Sequence, residues 1–171
     1  MSSLSQNKIQ QIESLTLDLL IEAYGDVTKI KSPVDLTPLF EKYGIKIYKT
    51  RFDDDDIAGM YIKKEKAIHV REDDIYTRQI FTAAHELGHF FLHTDKDKEV
   101  FHRSEQYLLD DAEMIEEKEA NWFAASILMP KPNVENVTFL IKKIEEVSNL
   151  FQVSNSTAYY RLKNLGILSF A

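Results

Sequence analysis

The sequence contains no cysteine among its 171 residues. This absence excludes disulfides, a thiol nucleophile and a zinc site with cysteine ligands. A bound metal ion would therefore depend on carboxylates and on the five histidines. No apolar run approaches the ~18 residues that a membrane span needs, and residues 1–7 lack the basic and apolar regions of a leader. We therefore expect a cytoplasmic protein without a membrane segment.

Basic residues are also in the minority, with 21 Lys and Arg against 28 Asp and Glu and a formal net charge of −7. Binding to nucleic-acid phosphates normally requires a basic surface, so the charge disfavours direct DNA binding. Apolar residues make up 44% of the chain, which is enough for a buried core. We expect one compact unit, with a core over residues 1–132 and a helical C-terminal region over residues 133–171 packed against it.

The spacing of apolar residues predicts helices on both sides of a short β region. The predicted helices span residues 6–24, 33–43, 75–93, 105–129, 139–151 and 156–165. The predicted strands span residues 45–48, 57–62 and 67–70. This order predicts an α+β fold with a small three-stranded antiparallel sheet. The last two helices, with a turn near residues 151–154, resemble a helix-turn-helix.

One motif carries the chemistry: HELGH, from His85 to His89, in the middle of a predicted helix. Residues four apart lie on the same helix face, so both imidazoles can bind one ion, with Glu86 beside it. Neutral imidazoles combined with oxygen ligands favour zinc.

A catalytic zinc site usually takes three protein ligands, so a third ligand is needed. The metzincin extension of the motif would require Gly and His where this chain has Leu92 and Asp95. That class is therefore excluded. His93 lies one turn beyond His89, and we interpret it as a histidine that interacts with the helix dipole at the C-terminal end.

A glutamate of the helix at 105–129 is the remaining route to a third ligand. Four residues of this helix share one face: Glu117, Asn121, Ala124 and Leu128. The small Ala124 would allow close approach to the histidine helix, which favours Glu117 as the ligand. Asn121 could hydrogen-bond the outer nitrogen of a ligand histidine. Glu116 and Glu119 remain alternatives for the third ligand.

Two segments together resemble the ImmA/IrrE family of zinc metallopeptidases: FTAAHELGHFFLH at 81–93 and EKEANWFAASILMP at 117–130. The resemblance extends to residues 58–59 and 68–70 in the strand region and to the tail at 151–162. It implies a zincin-like, gluzincin-type α+β core packed on the HELGH helix. It further implies His85, His89 and Glu117 as zinc ligands, Glu86 as the catalytic base and Asn121 as the partner of a ligand histidine.

The resemblance also implies a substrate, namely a helix-turn-helix repressor whose cleavage relieves repression. His102 and Tyr107 lie between the two metal helices in the sequence and are candidates for stabilising the oxyanion. An extended substrate segment could add to a sheet edge at residues 59–61 or 66–71. The alternative function is a DNA-binding regulator that uses the helix-turn-helix-like tail, with a purely structural metal site.

Overall fold

A computed structural model describes residues 4–26, 29–93, 100–103, 111–141 and 143–168. Its helices are α1 (Gln6–Tyr24), α2 (Thr37–Tyr43), α3 (Tyr76–Leu92), α4 (Asp111–Leu128), α5 (Lys131–Thr138), α6 (Ile144–Phe151) and α7 (Asn155–Asn164). Its strands are β1 (Lys46–Thr50), β2 (Gly59–Ile62), β3 (Ala67–Arg71) and β4 (Val100–Arg103). The predicted α+β class is confirmed. In this described part of the chain, no helix combines the length and the apolar character needed to cross a membrane.

The sheet differs from the predicted three-stranded antiparallel arrangement. Within the described residues it has four strands in the order β1-β3-β2-β4, and β1 runs parallel to β3. β2 is antiparallel to both β3 and β4. The parallel pair was missed because β1 skips its neighbour in sequence, and local patterns carry no information on such a pairing. Because β2 and β3 are both paired on two sides, the substrate edges predicted at 59–61 and 66–71 are wrong.

The helical predictions succeed where the pattern is long and periodic. α1 has the predicted bounds, and Ser5 caps it by accepting a hydrogen bond from the Lys8 backbone N–H. The predicted helix at 139–151 ends at the residue where α6 ends, but its start is wrong, because α5 ends at Thr138 and α6 begins only at Ile144. Pro132 lies in the first turn of α5, where a proline is tolerated, so a helix resumes directly after Pro130. The predicted helix at 105–129 begins at Asp111 in the structure, and residues 104–110 lie outside the described part.

The C-terminal helices α6 and α7 are joined by a tight turn. Gln152 ends α6 in the left-handed conformation (φ 52°), and Ser154 caps α7 by accepting a hydrogen bond from the Thr157 backbone N–H. The predicted resemblance of this segment to a helix-turn-helix concerns these two helices. The division of the chain at residues 132 and 133 stays a prediction.

An ion pair between the buried Arg161 and the partly buried Glu13 connects α7 to α1. Arg161 is 1% exposed, and its guanidinium donates to both carboxylate oxygens of Glu13. Glu13 also accepts from Trp122 Nε1 (2.8 Å) and Ser126 Oγ (2.9 Å) of α4, while Arg161 Nε donates to the Met129 carbonyl (3.0 Å). The cluster therefore connects α1, α4 and α7 through charge-assisted hydrogen bonds.

This environment holds the pKa of Glu13 below its ordinary value. Burial alone would raise the pKa, but the hydrogen bonds and the charge of Arg161, helped by Trp122 and Ser126, outweigh it. The stability that Glu13 contributes is therefore fully present above the ordinary pKa of a glutamate. It is lost as the pH falls through the lowered folded-state value.

Removing Arg161 should be costly, because it leaves the Glu13 carboxylate partly buried without its cation. We expect Arg161→Ala to lower the free energy of unfolding by about 3–5 kcal/mol, as measured by urea denaturation at pH 7. Arg51→Ala is the matched control, since Arg51 pairs with Glu72 on the surface and is 79% exposed. Its loss should be at most about 1 kcal/mol. Equal losses in the two variants would contradict a stabilising role of the buried cluster.

Candidate metal centre

Helix α3 carries the HELGH motif through the interior of the protein. His85 and Glu86 are fully buried, and His89 is 1% exposed. Ala83, Ala84 and Leu87 are also buried, so α3 packs on several sides. A helix surrounded in this way holds its polar side chains in the protein interior, away from bulk water. Electrostatic interactions are stronger in the interior than in water.

α3 and α4 approach each other closely at Gly88. A Cβ atom at this position would lie 3.1 Å from Ala120 Cα and 3.2 Å from Phe123 Cβ. Glycine therefore allows backbone-level contact between the two helices. The close contact is at Ala120, one turn before the Ala124 that the sequence pattern suggested, although Ala124 is also buried.

This crossing brings Glu117 of α4 to the two motif histidines. The distances are 3.1 Å from His85 Nε2 to Glu117 Oε2 and 3.1 Å from His89 Nε2 to Glu117 Oε1. The two Nε2 atoms are 3.2 Å apart. Among the residues that the structure describes, this is the one group of three or more histidines and carboxylates able to hold a metal ion.

The outer nitrogen of His85 is held by α4. His85 Nδ1 lies 3.1 Å from Asn121 Oδ1, an amide oxygen that can only accept a hydrogen bond. His85 Nδ1 must therefore carry the proton, and in the neutral ring Nε2 then carries a lone pair. This lone pair faces the Glu117 carboxylate and His89, as a metal ligand requires.

The titration behaviour of the group suits a metal ion. Burial lowers the pKa of His89, although a hydrogen bond that the protonated ring donates to Glu117 partly opposes this. Burial alone would raise the pKa of Glu117, but hydrogen bonds and charge from His85 and His89 in their protonated form hold it far below its ordinary value. Near neutral pH, Glu117 is therefore a carboxylate and His89 a neutral imidazole.

The donor set fits zinc in both chemistry and spacing. Two imidazole nitrogens and one carboxylate form a typical catalytic zinc set with a position left for water. Ligand atoms around a tetrahedral zinc with bonds of about 2.0–2.1 Å lie about 3.3 Å apart. The separations of 3.1–3.2 Å among His85, His89 and Glu117 are close to this value.

Glu86 lies on the sheet side of α3. A Cβ atom on Gly59 of β2 would lie 3.8 Å from Glu86 Cγ and would collide with Thr82 Cγ2 and the His69 carbonyl oxygen. Gly59 therefore lets the sheet lie directly against α3 beside Glu86. Glu86 is next to His85 in the chain but is not a member of the histidine–glutamate group.

The structure changes the interpretation of two other residues, His93 and Glu119. His93 is 3% exposed, and it contacts His89 Nδ1 (2.9 Å) and Glu119 Oε2 (3.1 Å) rather than serving only as a helix-end charge. Its spacing of four from His89 was a signal that it shares the histidine face. Glu119, an alternative third ligand, binds His93 and not the metal group.

His102 and Tyr107 were predicted as candidates for stabilising the oxyanion. His102 lies in β4, where its backbone pairs with Met60. Tyr107 lies outside the described residues. Their roles stay predictions.

The comparisons with known proteins agree with this architecture. The model of the family Peptidase_M78, described as the IrrE N-terminal-like domain, matches residues 40–163. A solved structure described as a "Mycobacterium tuberculosis transcriptional regulator" is similar with a TM-score of 0.61 and 16% identity. The alignment covers 93% of this chain and 47% of that one, so the chain spans about half the length of that structure and shares its fold. A search of curated proteins found no match.

The two adjacent glutamates of α4 offer a direct test of the metal group. Glu117→Ala should abolish zinc binding at micromolar protein, because one of three ligands is lost. Glu116→Ala should retain about one zinc per chain, because Glu116 is not a member of the group. Metal content after dialysis against trace zinc, measured by inductively coupled plasma mass spectrometry, gives the answer. Zinc retained by the Glu117 variant and lost from the Glu116 variant would refute this register of α4.

Proposed function

The chain belongs to the Peptidase_M78 family of IrrE N-terminal-like domains, and from this premise we propose that it is a zinc-dependent endopeptidase that cleaves a helix-turn-helix repressor. The observation that carries the proposal is the arrangement of α3 and α4. His85, His89 and Glu117 converge on one point, and the buried Glu86 directly follows His85 in α3 without belonging to the group. A purely structural zinc site usually has four protein ligands, whereas three ligands and a neighbouring carboxylate suit hydrolysis.

Each side chain then has a distinct task. His85, His89 and Glu117 would hold a zinc ion, which when bound would supply Lewis acidity toward a water molecule and a peptide carbonyl. Glu86 accepts the proton from the attacking water and returns it to the leaving amine. Asn121 keeps His85 in the tautomer whose Nε2 can bind metal. Burial of α3 excludes bulk water and strengthens these interactions.

The sheet offers an edge for an extended substrate. Among the strands that the structure describes, β1 and β4 are the outer ones, and β4 packs against α3. An extended peptide could pair with the outer edge of β4 and lie along the catalytic helix. Such pairing uses backbone hydrogen bonds, so a folded helix would not be a substrate.

The position of Arg161 argues against the alternative function, which is DNA binding through α6 and α7. This arginine is one of the few cations of the tail, and it is buried against Glu13. Lys143 and Lys163 are the exposed basic residues of the described tail, and Glu145 and Glu146 offset them. Phosphate binding requires a stronger positive surface. A net charge of −7 instead suits attraction of a basic, DNA-binding protein as substrate.

Replacing the proposed base separates catalysis from metal binding. Glu86→Gln should keep about one zinc per chain and the wild-type melting temperature, because Glu86 is not in the ligand group. It should lose cleavage by at least about 100-fold, the lower range for general-base catalysis. Metal analysis and a peptide-cleavage assay on the same preparation test both points. Undiminished cleavage would leave only a structural role for the metal.

The substrate proposal is tested with helix-turn-helix repressors encoded beside this protein. Wild-type protein with zinc should cut one of them at one or a few sites in extended segments, as read by intact-mass spectrometry. The Glu86→Gln variant and a chelator-treated sample should leave it whole. Casein serves as the control for general proteolysis. Rapid digestion of casein with every repressor intact would refute the substrate while leaving the zinc chemistry standing.

A further inference from the structure

A chain of polar contacts leads from His89 to the N-terminal helix. His89 Nδ1 lies 2.9 Å from His93 Nδ1, and His93 Nε2 lies 3.1 Å from Glu119 Oε2. Glu119 Oε2 in turn lies 3.2 Å from Lys8 Nζ of α1. His93 and Glu119 are 3% and 6% exposed, so the two middle members are buried.

We propose that His93 and Glu119 are positioning residues that hold His89 in its metal-binding tautomer and orientation, and that Lys8 couples α1 to this support. The inference rests on the proposed metal centre and extends it to three residues outside the ligand group. It also assigns a task to Glu119, which binds no metal in this arrangement.

The direction of each hydrogen bond follows from Glu119, the acceptor at the end of the chain of contacts. Glu119, paired with Lys8, accepts a hydrogen bond, so His93 Nε2 carries a proton and donates it. In a neutral ring His93 Nδ1 is then an acceptor, and the proton between the two rings belongs to His89 Nδ1. His89 Nε2 is left with a lone pair that faces Glu117 and the metal position.

The two ligand histidines are thus supported in the same way. His85 Nδ1 donates to Asn121, and His89 Nδ1 donates to His93, which is anchored by Glu119. α4 therefore supplies a ligand, Glu117, and the acceptors that end both supports. His93 is needed as an intermediate because Glu119 is two residues from Glu117 and so projects from a different side of α4.

The contact with Lys8 connects α1 to the residues that support the metal centre. α1 is held to α4 at a second point, where Glu13 accepts from Trp122 and Ser126. Residues 40–163 match the family model, so α1 lies outside the matched region. The orientation of His89 in this chain would therefore depend on a helix that precedes that region.

Zinc affinity tests the proposal without any activity assay. His93→Ala and Glu119→Ala should each weaken zinc binding by about 10–100-fold, the usual range for residues that support a metal ligand. Glu119→Gln, which keeps an acceptor for His93, should lose less than Glu119→Ala, and Lys8→Met should lose least. Competition with a chromophoric chelator, on the full chain at pH 7, gives the affinities.

His69→Ala is the matched control. His69 makes a side-chain hydrogen bond to Thr50 at 2.8 Å, and it lies in β3, outside the support. Its zinc affinity should equal that of the wild type. Nitrogen-15 spectra of the imidazoles add a second readout: His89 should carry its proton on Nδ1 in the wild type, and this preference should weaken in His93→Ala.

Three outcomes would overturn the proposal. The first is wild-type zinc affinity in His93→Ala and Glu119→Ala, even if both variants melt at lower temperature, since that pattern marks a purely structural network. The second is a proton on Nε2 of wild-type His89. The third is a wild-type protein that binds zinc no better than Glu117→Ala, which would refute the metal centre itself. Normal zinc binding without peptide cleavage would instead refute only the peptidase function, and the affinity comparison would still decide this inference.

Discussion

At the crossing of α3 and α4, Gly88 lies against the backbone of Ala120 and the side chain of Phe123. Any larger residue at this position would press the helices apart, because the neighbouring atoms are already 3.1–3.3 Å from where a Cβ would be. The contact sets the distance between the histidines of one helix and Glu117 of the other. Ligand separations of 3.1 Å follow from this spacing, and with them the possibility of a metal centre.

Around this crossing, polar groups are buried in complementary pairs. α4 contributes the carboxylate of Glu117, the amide of Asn121 and the carboxylate of Glu119, each facing an imidazole nitrogen of α3 or of His93 at its C-terminal end. Burying such groups without partners would be costly, so the pairing stabilises the fold and orients the site at the same time. α1 contacts this arrangement at two points. Lys8 forms an ion pair with Glu119, and Glu13 belongs to the Arg161 cluster.

Local sequence patterns predicted the elements that depend on neighbouring residues. The bounds of α1, the helical setting of the HELGH motif and the three strands before it all follow from periodicity over a few turns or residues. The same patterns failed where pairing joins distant segments. The parallel β1–β3 ladder and the fourth strand have no local signal, because strand partners are chosen by the packing of the whole sheet on α3.

For the site, the sequence by itself determined that His85 and His89 share a helix face and that no thiol can bind the metal. It narrowed the third ligand to a few glutamates of α4 and favoured Glu117 over Glu116 and Glu119. Only the tertiary structure decided how these residues meet. Helical periodicity shows which residues share a face of a helix, but it does not show what that face contacts. The contacts of His93 and Arg161 were decided by the tertiary structure too, because their partner carboxylates, Glu119 and Glu13, lie 26 and 148 residues away in the chain, respectively.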